Sequence, residues 1–203
     1  MGSLSRCTLI NLGISSSNSS TTAMFAVAKS REMTIQYSFG KATEGDLDQI
    51  WDILKAAIKR RKEEGSNQWQ DGYPNVEVIK EDIRKESGYV LKEGKNVAAY
   101  CAILINDEPE YARLNGKWLT QGNFVVYHRV AVSENYLGRG MGEMILKHVE
   151  DFARATNIRS VKADTNFDNM AMLRIFQKLG YSYCGEVTFR GSARKAFEKV
   201  LVD

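Results

Sequence analysis

The apolar positions of the chain repeat with two spacings, one typical of helices and one typical of strands. Leu47, Ile50, Leu54 and Ile58 fall on one helical face, after residues 43–46 (Thr-Glu-Gly-Asp), which are typical of a helix start. Further helices are predicted at residues 78–86, from 141 onward, and at 170–179. Strands are predicted at the alternating or β-branched segments 34–39, 89–92, 97–105, 123–132, 160–163 and 183–189.

The order of these elements indicates the class of fold. Residues 93–96 (Glu-Gly-Lys-Asn) are typical of a hairpin turn, residues 106–122 form a polar connection rich in aromatic residues, and residues 194–201 close the chain. The elements run as a strand, two helices, several strands, and then alternating strands and helices. This order predicts one α/β (α+β) domain over residues 33–203 with a mixed, largely antiparallel sheet.

Residues 1–32 differ in composition from the rest of the chain. Residues 15–22 contain only Ser, Thr and Asn. The segment has the basic residues Arg6, Lys29 and Arg31 but a single acidic residue, Glu32. Such a composition is typical of a transit peptide. An expression leader, or a start assigned too early with Met33 as the true first residue, would explain it equally. We expect this low-complexity leader to lie outside the folded domain.

Charge and cysteine usage exclude several classes of function. A net charge of +3 over 203 residues argues against nucleic acid as a partner. No apolar run approaches the roughly 20 residues that a membrane span needs. Cys7, Cys101 and Cys184 form no Cys-x-x-Cys pair, so neither a disulfide framework nor a metal site is predicted. The expected compartment is a reducing cytoplasm.

The candidate chemistry centres on residues 125–145. A β-branched run ends at Val132, three glycines follow at alternate positions (Gly138, Gly140 and Gly142), and a helical pattern begins at Met141. Glycines permit close approach to the backbone, and the helix start adds free N–H groups and a positive dipole end. A phosphate or pyrophosphate site is therefore one interpretation, and a tight turn without a ligand is the other.

Two segments resemble the motifs of the GNAT family of N-acetyltransferases. Residues 128–132 (His-Arg-Val-Ala-Val) with 137–142 (Leu-Gly-Arg-Gly-Met-Gly) resemble its motif A. Asn169, Phe176, Lys178, Gly180 and Tyr181 resemble motif B, in the same order and spacing. Residues 68–74 and 164–169 also resemble a bacterial branch of this family. The resemblance covers residues 34–203 and implies a twisted sheet with helices on both faces.

The resemblance also implies the donor and the residues that hold it. Acetyl-CoA would lay its pyrophosphate on backbone N–H groups of residues 137–142, while Val130 and Val132 would hold the pantetheine arm through their backbone. Asn169 would contact this arm from the motif B side. The residues expected to contact acetyl-CoA are Val130, Ala131, Val132, Leu137, Gly138, Arg139, Gly140, Met141, Gly142, Asn169 and Phe176.

The chain departs from the family pattern at two positions. Gln or Arg usually stands where this chain has Leu137, but a loop that binds through its main chain tolerates the change. The tyrosine that often protonates the departing thiolate is replaced by Phe176, which has no proton to give. A thiol pKa near 8–9 makes coenzyme A a tolerable leaving group without that acid.

Other residues are candidates for proton transfer and for the acceptor site. His128 is a possible base or substrate contact, because its ordinary pKa near 6.5 suits this role; a packing histidine is the alternative. In a regular strand Tyr127 would point to the opposite face, so the two could share a site only across a bulge. Glu108 and Glu110 lie in the connection before the central strand, where an acceptor pocket could form, but solvated loop residues are the favoured interpretation. The loop aromatics Trp69, Tyr73, Tyr111 and Trp118 either form an acceptor site or cover a sheet edge or a homodimer surface.

The sequence thus predicts an acetyl-CoA-dependent N-acetyltransferase that acts on a primary amine of a small molecule or peptide by direct transfer. A non-catalytic acyl-CoA-binding module is the alternative, motivated by Phe176. A different acyl donor such as succinyl-CoA is less favoured, because no cationic pocket for a second carboxylate is apparent. No membrane or nucleic-acid partner is expected.

Overall fold

A computed structural model describes residues 36–189 and 191–202. These residues form four α-helices and one eight-stranded sheet. The helices are α1 (Leu47–Glu63), α2 (Val76–Arg84), α3 (Met141–Ala155) and α4 (Met170–Leu179). The strands are β1 (Tyr37–Lys41), β2 (Gly88–Glu93), β3 (Asn96–Ile105), β4 (Asn115–Gly116), β5 (Phe124–Val132), β6 (Ser160–Thr165), β7 (Ser182–Phe189) and β8 (Ser192–Val200). The predicted leader, residues 1–32, lies outside the described residues.

The strands form a single mixed sheet in the order β1-β2-β3-β5-β6-β8-β7-β4. Across the described residues every neighbouring pair is antiparallel except β5 and β6, which run parallel. The β2–β3 hairpin turns where Glu93 pairs with Asn96, as the sequence predicts. The predicted largely antiparallel sheet is confirmed.

Apolar side chains pack on both faces of the sheet. On one face, Ile145 and Val149 of α3 pack with Val125 of β5, all of them fully buried. On the other face, Ile50 of α1 and Ile79 of α2 pack in the cluster that contains Ala131. Burial of each large apolar side chain contributes about 1.5–3 kcal/mol. Helices therefore cover both faces of the sheet, as expected.

Two predicted elements have different boundaries in the structure. Strand β1 is predicted at residues 34–39, but its pairing with β2 runs from Tyr37 to Lys41. Helix α2 is predicted from residue 78, but it begins at Val76 because Asn75 caps it, with Oδ1 accepting the N–H of Val78 at 3.1 Å. Both differences arise from contacts that the apolar pattern does not report.

Two strands of the structure, β4 and β8, were not predicted from the sequence. Strand β4 lies within the predicted connection, where Gly116 passes so close to β7 that a Cβ would stand 2.1 Å from the carbonyl oxygen of Cys184. Strand β8 lies between β6 and β7 and buries Glu198 completely. Ser160 Oγ donates to Glu198 at 2.6 Å, and so does the N–H of Leu119. A buried charge in the strand hid its alternating pattern.

Candidate active site

Strands β5 and β6 separate after a short paired stretch. They pair at Phe124–Ser160, Val125–Val161 and Val126–Lys162, although β5 continues to Val132 and β6 to Thr165. The backbone of the second half of β5 therefore lies beside an opening in the sheet. Backbone N–H and C=O groups need partners, so an extended ligand with amide groups fits this opening.

A bulge in β5 lies at the same position. Ala102 of β3 pairs with His128 and Tyr100 pairs with Ala131, so β5 carries an extra residue, and Arg129 has a φ of 56°. The bulge changes the alternation of side chains. Tyr127 and His128 pair in regular register with Ile103 and Ala102, so the bulge lies directly after His128 and not between these two residues. Tyr127, His128 and Val130 all line a cavity of about 60 Å³ in the opening.

Buried charges hold the bulge in place. Arg129 binds Asp82 of α2 in a bidentate pair, with Nε to Oδ2 at 2.9 Å and Nη2 to Oδ1 at 2.7 Å. The hydroxyl of Tyr100 donates to Asp82 Oδ2 at 2.5 Å. Nη1 of Arg129 also donates to the hydroxyl of Tyr73. One guanidinium thus joins the central strand, helix α2 and the loop that carries Tyr73.

A larger cavity of about 640 Å³ adjoins the opening. The loop between α1 and α2 forms one wall with Gln68, Trp69 and Tyr73, and Trp69 takes a positive φ of 63°. This loop is tied to α4 through Gln68 Oε1, which accepts from Nδ2 of Asn169 at 3.1 Å. Trp69 and Tyr73 therefore lie where the sequence analysis expects acceptor-site aromatics.

The other two predicted aromatics lie elsewhere. Tyr111 is only 3% exposed and packs with Trp118 in a separate apolar cluster. The Tyr111 hydroxyl donates to Asp164 Oδ1 at 2.9 Å, and Trp118 Nε1 donates to the carbonyl of Tyr111 at 3.0 Å. Neither residue lines the two cavities. Their expected substrate contact is corrected to a packing role, because the connection folds back onto the sheet.

His128 has a carboxylate partner that sequence reasoning missed. Its Nε2 lies 3.1 Å from Oε2 of Glu108, whose side chain is only 9% exposed. Burial raises the pKa of Glu108, the hydrogen bond from His128 opposes that rise, and a hydrogen bond with Glu110 adds to it. The expectation that Glu108 is a solvated loop residue is wrong. The only signal available was its position shortly before the central strand.

The glycine turn has the backbone geometry of an anion site. Gly138 and Gly140 have φ values of 74° and 77°, and Gly140 caps α3. Met144 N–H bonds to the carbonyl of Gly140 at 3.0 Å, and the three preceding N–H groups have no intrahelical acceptor. Glu143 stands beside them, and its charge is balanced by Lys147 at 2.9 Å and Lys178 at 2.5 Å. The turn therefore fits a pyrophosphate.

The remaining residues of the predicted donor site differ in burial and in whether they line a cavity. Asn169 caps α4, with Oδ1 accepting the N–H of Met172 at 3.1 Å, and it lines the small cavity. The side chain of Leu137 is exposed. Phe176 is 1% exposed and packs against Tyr181 and Phe197 at 5.1 and 4.7 Å between ring centroids. Phe176 therefore lies in the core and lines neither cavity.

Two features are absent from the part of the chain that the structure describes. Among the described residues no helix is long and apolar enough to cross a membrane. In the same part of the chain, no group of three or more His, Cys, Asp or Glu side chains is placed to hold a metal ion.

The fold and the site together define the class of protein. A sheet that opens beside its parallel pair, followed by a glycine turn at a helix start, is the arrangement expected of an N-acetyltransferase that uses an acyl-CoA. The sequence profile of the Acetyltransferase (GNAT) family matches residues 50–181. The chain belongs to this family and is an N-acetyltransferase.

Several proteins are similar to this chain over most of their length. A GNAT-family acetyltransferase from Streptococcus agalactiae is 31% identical with a TM-score of 0.76, covering 82% of this chain and 96% of that chain. The uncharacterized N-acetyltransferase YesJ of Bacillus subtilis (strain 168) is 25% identical over 144 residues, covering 69% of this chain and 78% of YesJ. YncA of Salmonella typhimurium, solved with acetyl-CoA, is 17% identical with a TM-score of 0.61, covering 83% of this chain and 95% of that chain.

Proposed function

We propose that this protein transfers the acetyl group of acetyl-CoA directly to a primary amine of a small molecule or peptide bound in the 640 Å³ cavity. The observation that carries the proposal is the continuity of the two cavities. The small cavity between β5 and β6 shares His128, Arg129 and Trp69 with the large one. A donor entering along β5 and an acceptor in the large cavity would therefore meet beside His128.

The donor is proposed to bind mainly through backbone groups. Acetyl-CoA is the donor of this family, and the Salmonella neighbour carries it. The N–H groups at the start of α3 would hold the pyrophosphate. The open edge of β5, at Val130, Ala131 and Val132, would pair with the amides of the pantetheine arm. Asn169 lines the same opening and supplies a side-chain amide.

His128 is proposed to remove the proton that blocks the amine. A primary amine with a pKa near 10 is mostly charged at neutral pH and has no lone pair for attack. His128 accepts one proton from it, and Glu108 at 3.1 Å stabilises the imidazolium that forms. The half-buried position of the imidazole, with its side chain 19% exposed, leaves it a route to return this proton to solvent.

The transfer itself needs alignment more than further acid catalysis. The amine nitrogen forms a bond to the thioester carbonyl carbon, the carbon–sulfur bond breaks, and coenzyme A leaves as a thiolate. The nitrogen then loses a second proton, which balances the charge on the thiolate. Phe176 has no proton to give and is buried, so this proton is proposed to reach the sulfur through water. Alignment of the reactants supplies much of the rate.

The proposal is tested by binding and turnover together. Acetyl-CoA is titrated into the protein by calorimetry, and release of the free thiol is then followed with a panel of primary amines. Saturable binding with amine-dependent thiol release, and an acetylated amine seen by mass spectrometry, is the expected result. Binding without thiol release for every amine would instead support a non-catalytic acyl-CoA-binding module, the alternative that the buried Phe176 favours.

A further inference from the structure

One wall of the large cavity is acidic. Asp107, Glu108 and Glu110 follow one another on the segment between β3 and β5, and all three line the cavity. Neither Asp107 nor Glu110 forms a salt bridge with any described residue. Arg113 lies near enough to Glu110 to lower its pKa, although a hydrogen bond with Glu108 has the larger effect. The wall therefore carries negative charge that the described part of the chain leaves largely uncompensated.

Because Glu108 is buried, its carboxylate needs a positively charged partner more strongly than an exposed carboxylate would. Its side chain is nine-tenths buried, and its counter-group is His128, which is charged only when protonated. Both Glu108 and Glu110 line the same cavity, and a hydrogen bond between them contributes to the raised pKa of Glu108. Two neighbouring carboxylates repel each other unless they share a proton or a cation lies beside them. A cationic ligand in the cavity satisfies this requirement without the energetic cost of an unpaired buried charge.

Among the described residues, the arginines that line the cavity do not offset the acidic wall. Arg129 is paired with Asp82 at 2.7 Å, and Arg194 with Asp164 at 3.1 Å. Each guanidinium is thus matched by a carboxylate of the protein, and Asp82 lies outside the cavity lining. An acceptor that brings its own carboxylate would meet repulsion from Asp107 and Glu110 and gain little from these paired arginines.

We propose that the acceptor carries a second positive charge beside the amine that is acetylated, as a diamine or polyamine does. This inference rests on the proposed transferase function and names its substrate class. One ammonium group lies against Asp107 and Glu110 while the other nitrogen reaches His128. Trp69 and Phe189 line the same cavity and accommodate the methylene chain between the two nitrogens.

Three probes of equal chain length test the charge preference. They are 1,4-diaminobutane, 1-aminobutane and 4-aminobutanoate, which carry a cation, no charge and an anion at the end remote from the reacting amine. We expect kcat/KM for the diamine to exceed that of the monoamine at least tenfold, with the carboxylate-bearing amine poorest. Raising the salt concentration should reduce the advantage of the diamine, because charge attraction is screened.

Variants that replace acidic side chains with neutral amides test whether the acidic wall causes the preference for the diamine. The double variant Asp107→Asn with Glu110→Gln should lose more kcat/KM for the diamine than for the monoamine, so that the ratio of the two values falls about tenfold. Glu44→Gln, at an exposed carboxylate of the turn before α1, is the matched control and should change neither. Thermal unfolding confirms that each variant is folded. A double variant that keeps the full preference for the diamine overturns the inference.

A binding measurement separates this inference from the transferase proposal. The three probes are titrated by calorimetry into the protein saturated with coenzyme A. Tighter binding of the diamine that weakens in the double variant supports the charge preference, even if no amine is acetylated and the transferase proposal fails. Equal binding of all three probes, or tightest binding of 4-aminobutanoate, overturns the charge preference even if acetyl transfer is observed.

Discussion

His128 and Glu108 lie side by side in the wall of the large cavity, with Nε2 of the imidazole 3.1 Å from Oε2 of the carboxylate. If His128 takes the proton of the amine, His128→Gln should lower kcat by about 100-fold, a typical loss for a proton-transfer group. The KM for acetyl-CoA should stay within about threefold. Steady-state kinetics with a saturating amine measures both. His148→Gln, at the other histidine, serves as control, and equal losses in the two variants would contradict the role of His128.

The acid limb of the pH profile should contain a contribution from Glu108. Burial raises the pKa of this carboxyl above its ordinary value, the His128 hydrogen bond opposes this, and Glu110 contributes to the rise. As pH falls through that raised pKa, Glu108 becomes neutral and no longer stabilises a protonated His128. We therefore expect kcat/KM to begin falling at a higher pH than an ordinary glutamate would give.

Glu108→Gln provides the comparison for the pH profile. Glutamine keeps the size of the side chain and cannot ionise. The variant should have a lower kcat/KM near neutral pH, and the ionisation of Glu108 should be missing from its acid limb. Profiles of wild type and variant are measured from pH 5 to 9 with one amine. Identical acid limbs would show that Glu108 does not govern the loss of activity.

Gly140 should be required for donor binding. Its φ of 77° is strained for any residue with a Cβ, and a shift of this turn would move the N–H groups at the start of α3. We expect Gly140→Ala to weaken acetyl-CoA binding at least tenfold by calorimetry. Gly94→Ala is the control, because Gly94 also has a positive φ, of 58°, and open space around it, but lies in the β2–β3 hairpin. Equal affinity in both variants would rule out the turn as the anion site.

The buried pair of Arg129 and Asp82 should contribute strongly to stability. Both side chains are only 8% exposed, so Arg129→Met leaves the Asp82 carboxylate buried without its counter-ion. The expected loss is about 3 kcal/mol in the free energy of unfolding, measured with denaturant. The exposed pair of Arg84 and Glu81 offers the control, since Arg84→Met should cost far less than Arg129→Met. Similar losses in the two variants would show that burial does not govern these pairs.

A second effect distinguishes Arg129 from a residue that only stabilises the fold. Its guanidinium holds the hydroxyl of Tyr73 in the cavity wall. Tyr73→Phe removes this contact with little loss of core packing, so it should raise the KM for the amine while the KM for acetyl-CoA stays constant. A change confined to the KM for acetyl-CoA would place Tyr73 on the donor side instead.

Asp46 should make the stability of the protein dependent on pH. It is 5% exposed and accepts hydrogen bonds from Thr43 N–H at 3.0 Å and Oγ1 at 2.8 Å, with Lys92 at 2.7 Å. Burial by itself raises the pKa of Asp46, but the bonds from Lys92 and Thr43 outweigh it and the net pKa is lowered. The stabilisation is therefore present above the unfolded-state pKa near 3.9 and is lost as pH falls below it.

The test of Asp46 is an unfolding series at several pH values. Asp46→Asn should lower the free energy of unfolding by about 1 kcal/mol near pH 7, and the difference should narrow below about pH 4. Asp48→Asn, at an exposed residue in the first turn of α1, should cost a few tenths of a kcal/mol. A constant difference for Asp46→Asn across the series would show that its charge is not involved.

Local patterns predicted the helices and the central strand well. The range predicted for α4, residues 170–179, matches the structure, because Asn169 and Gly180 provide a cap and a left-handed stop that depend only on neighbouring residues. Strand β8 was missed, because Glu198 is buried at a position where the pattern would require an apolar residue. Leu119 and Ser160, hydrogen-bond partners of Glu198, come from segments far away in sequence.

The proposed donor site could be predicted from the sequence, since it depends on glycines and helix starts that are close together in the chain. The glycine turn, the helix after it and the capping of α4 by Asn169 all follow from local chemistry. Family membership follows from the same segments, which carry the motifs that resemble the GNAT family. These features need no knowledge of how distant segments meet.

Only the tertiary structure decided which side chains share the proposed acceptor cavity. The bulge at Arg129 lies directly after His128, and a carboxylate on helix α2 holds that bulge. Packing also carried Tyr111 against the sheet and Glu108 to His128, although both lie on one connection. Such choices depend on burial and on charge pairs between residues distant in sequence, which a local pattern of apolar and polar positions does not encode.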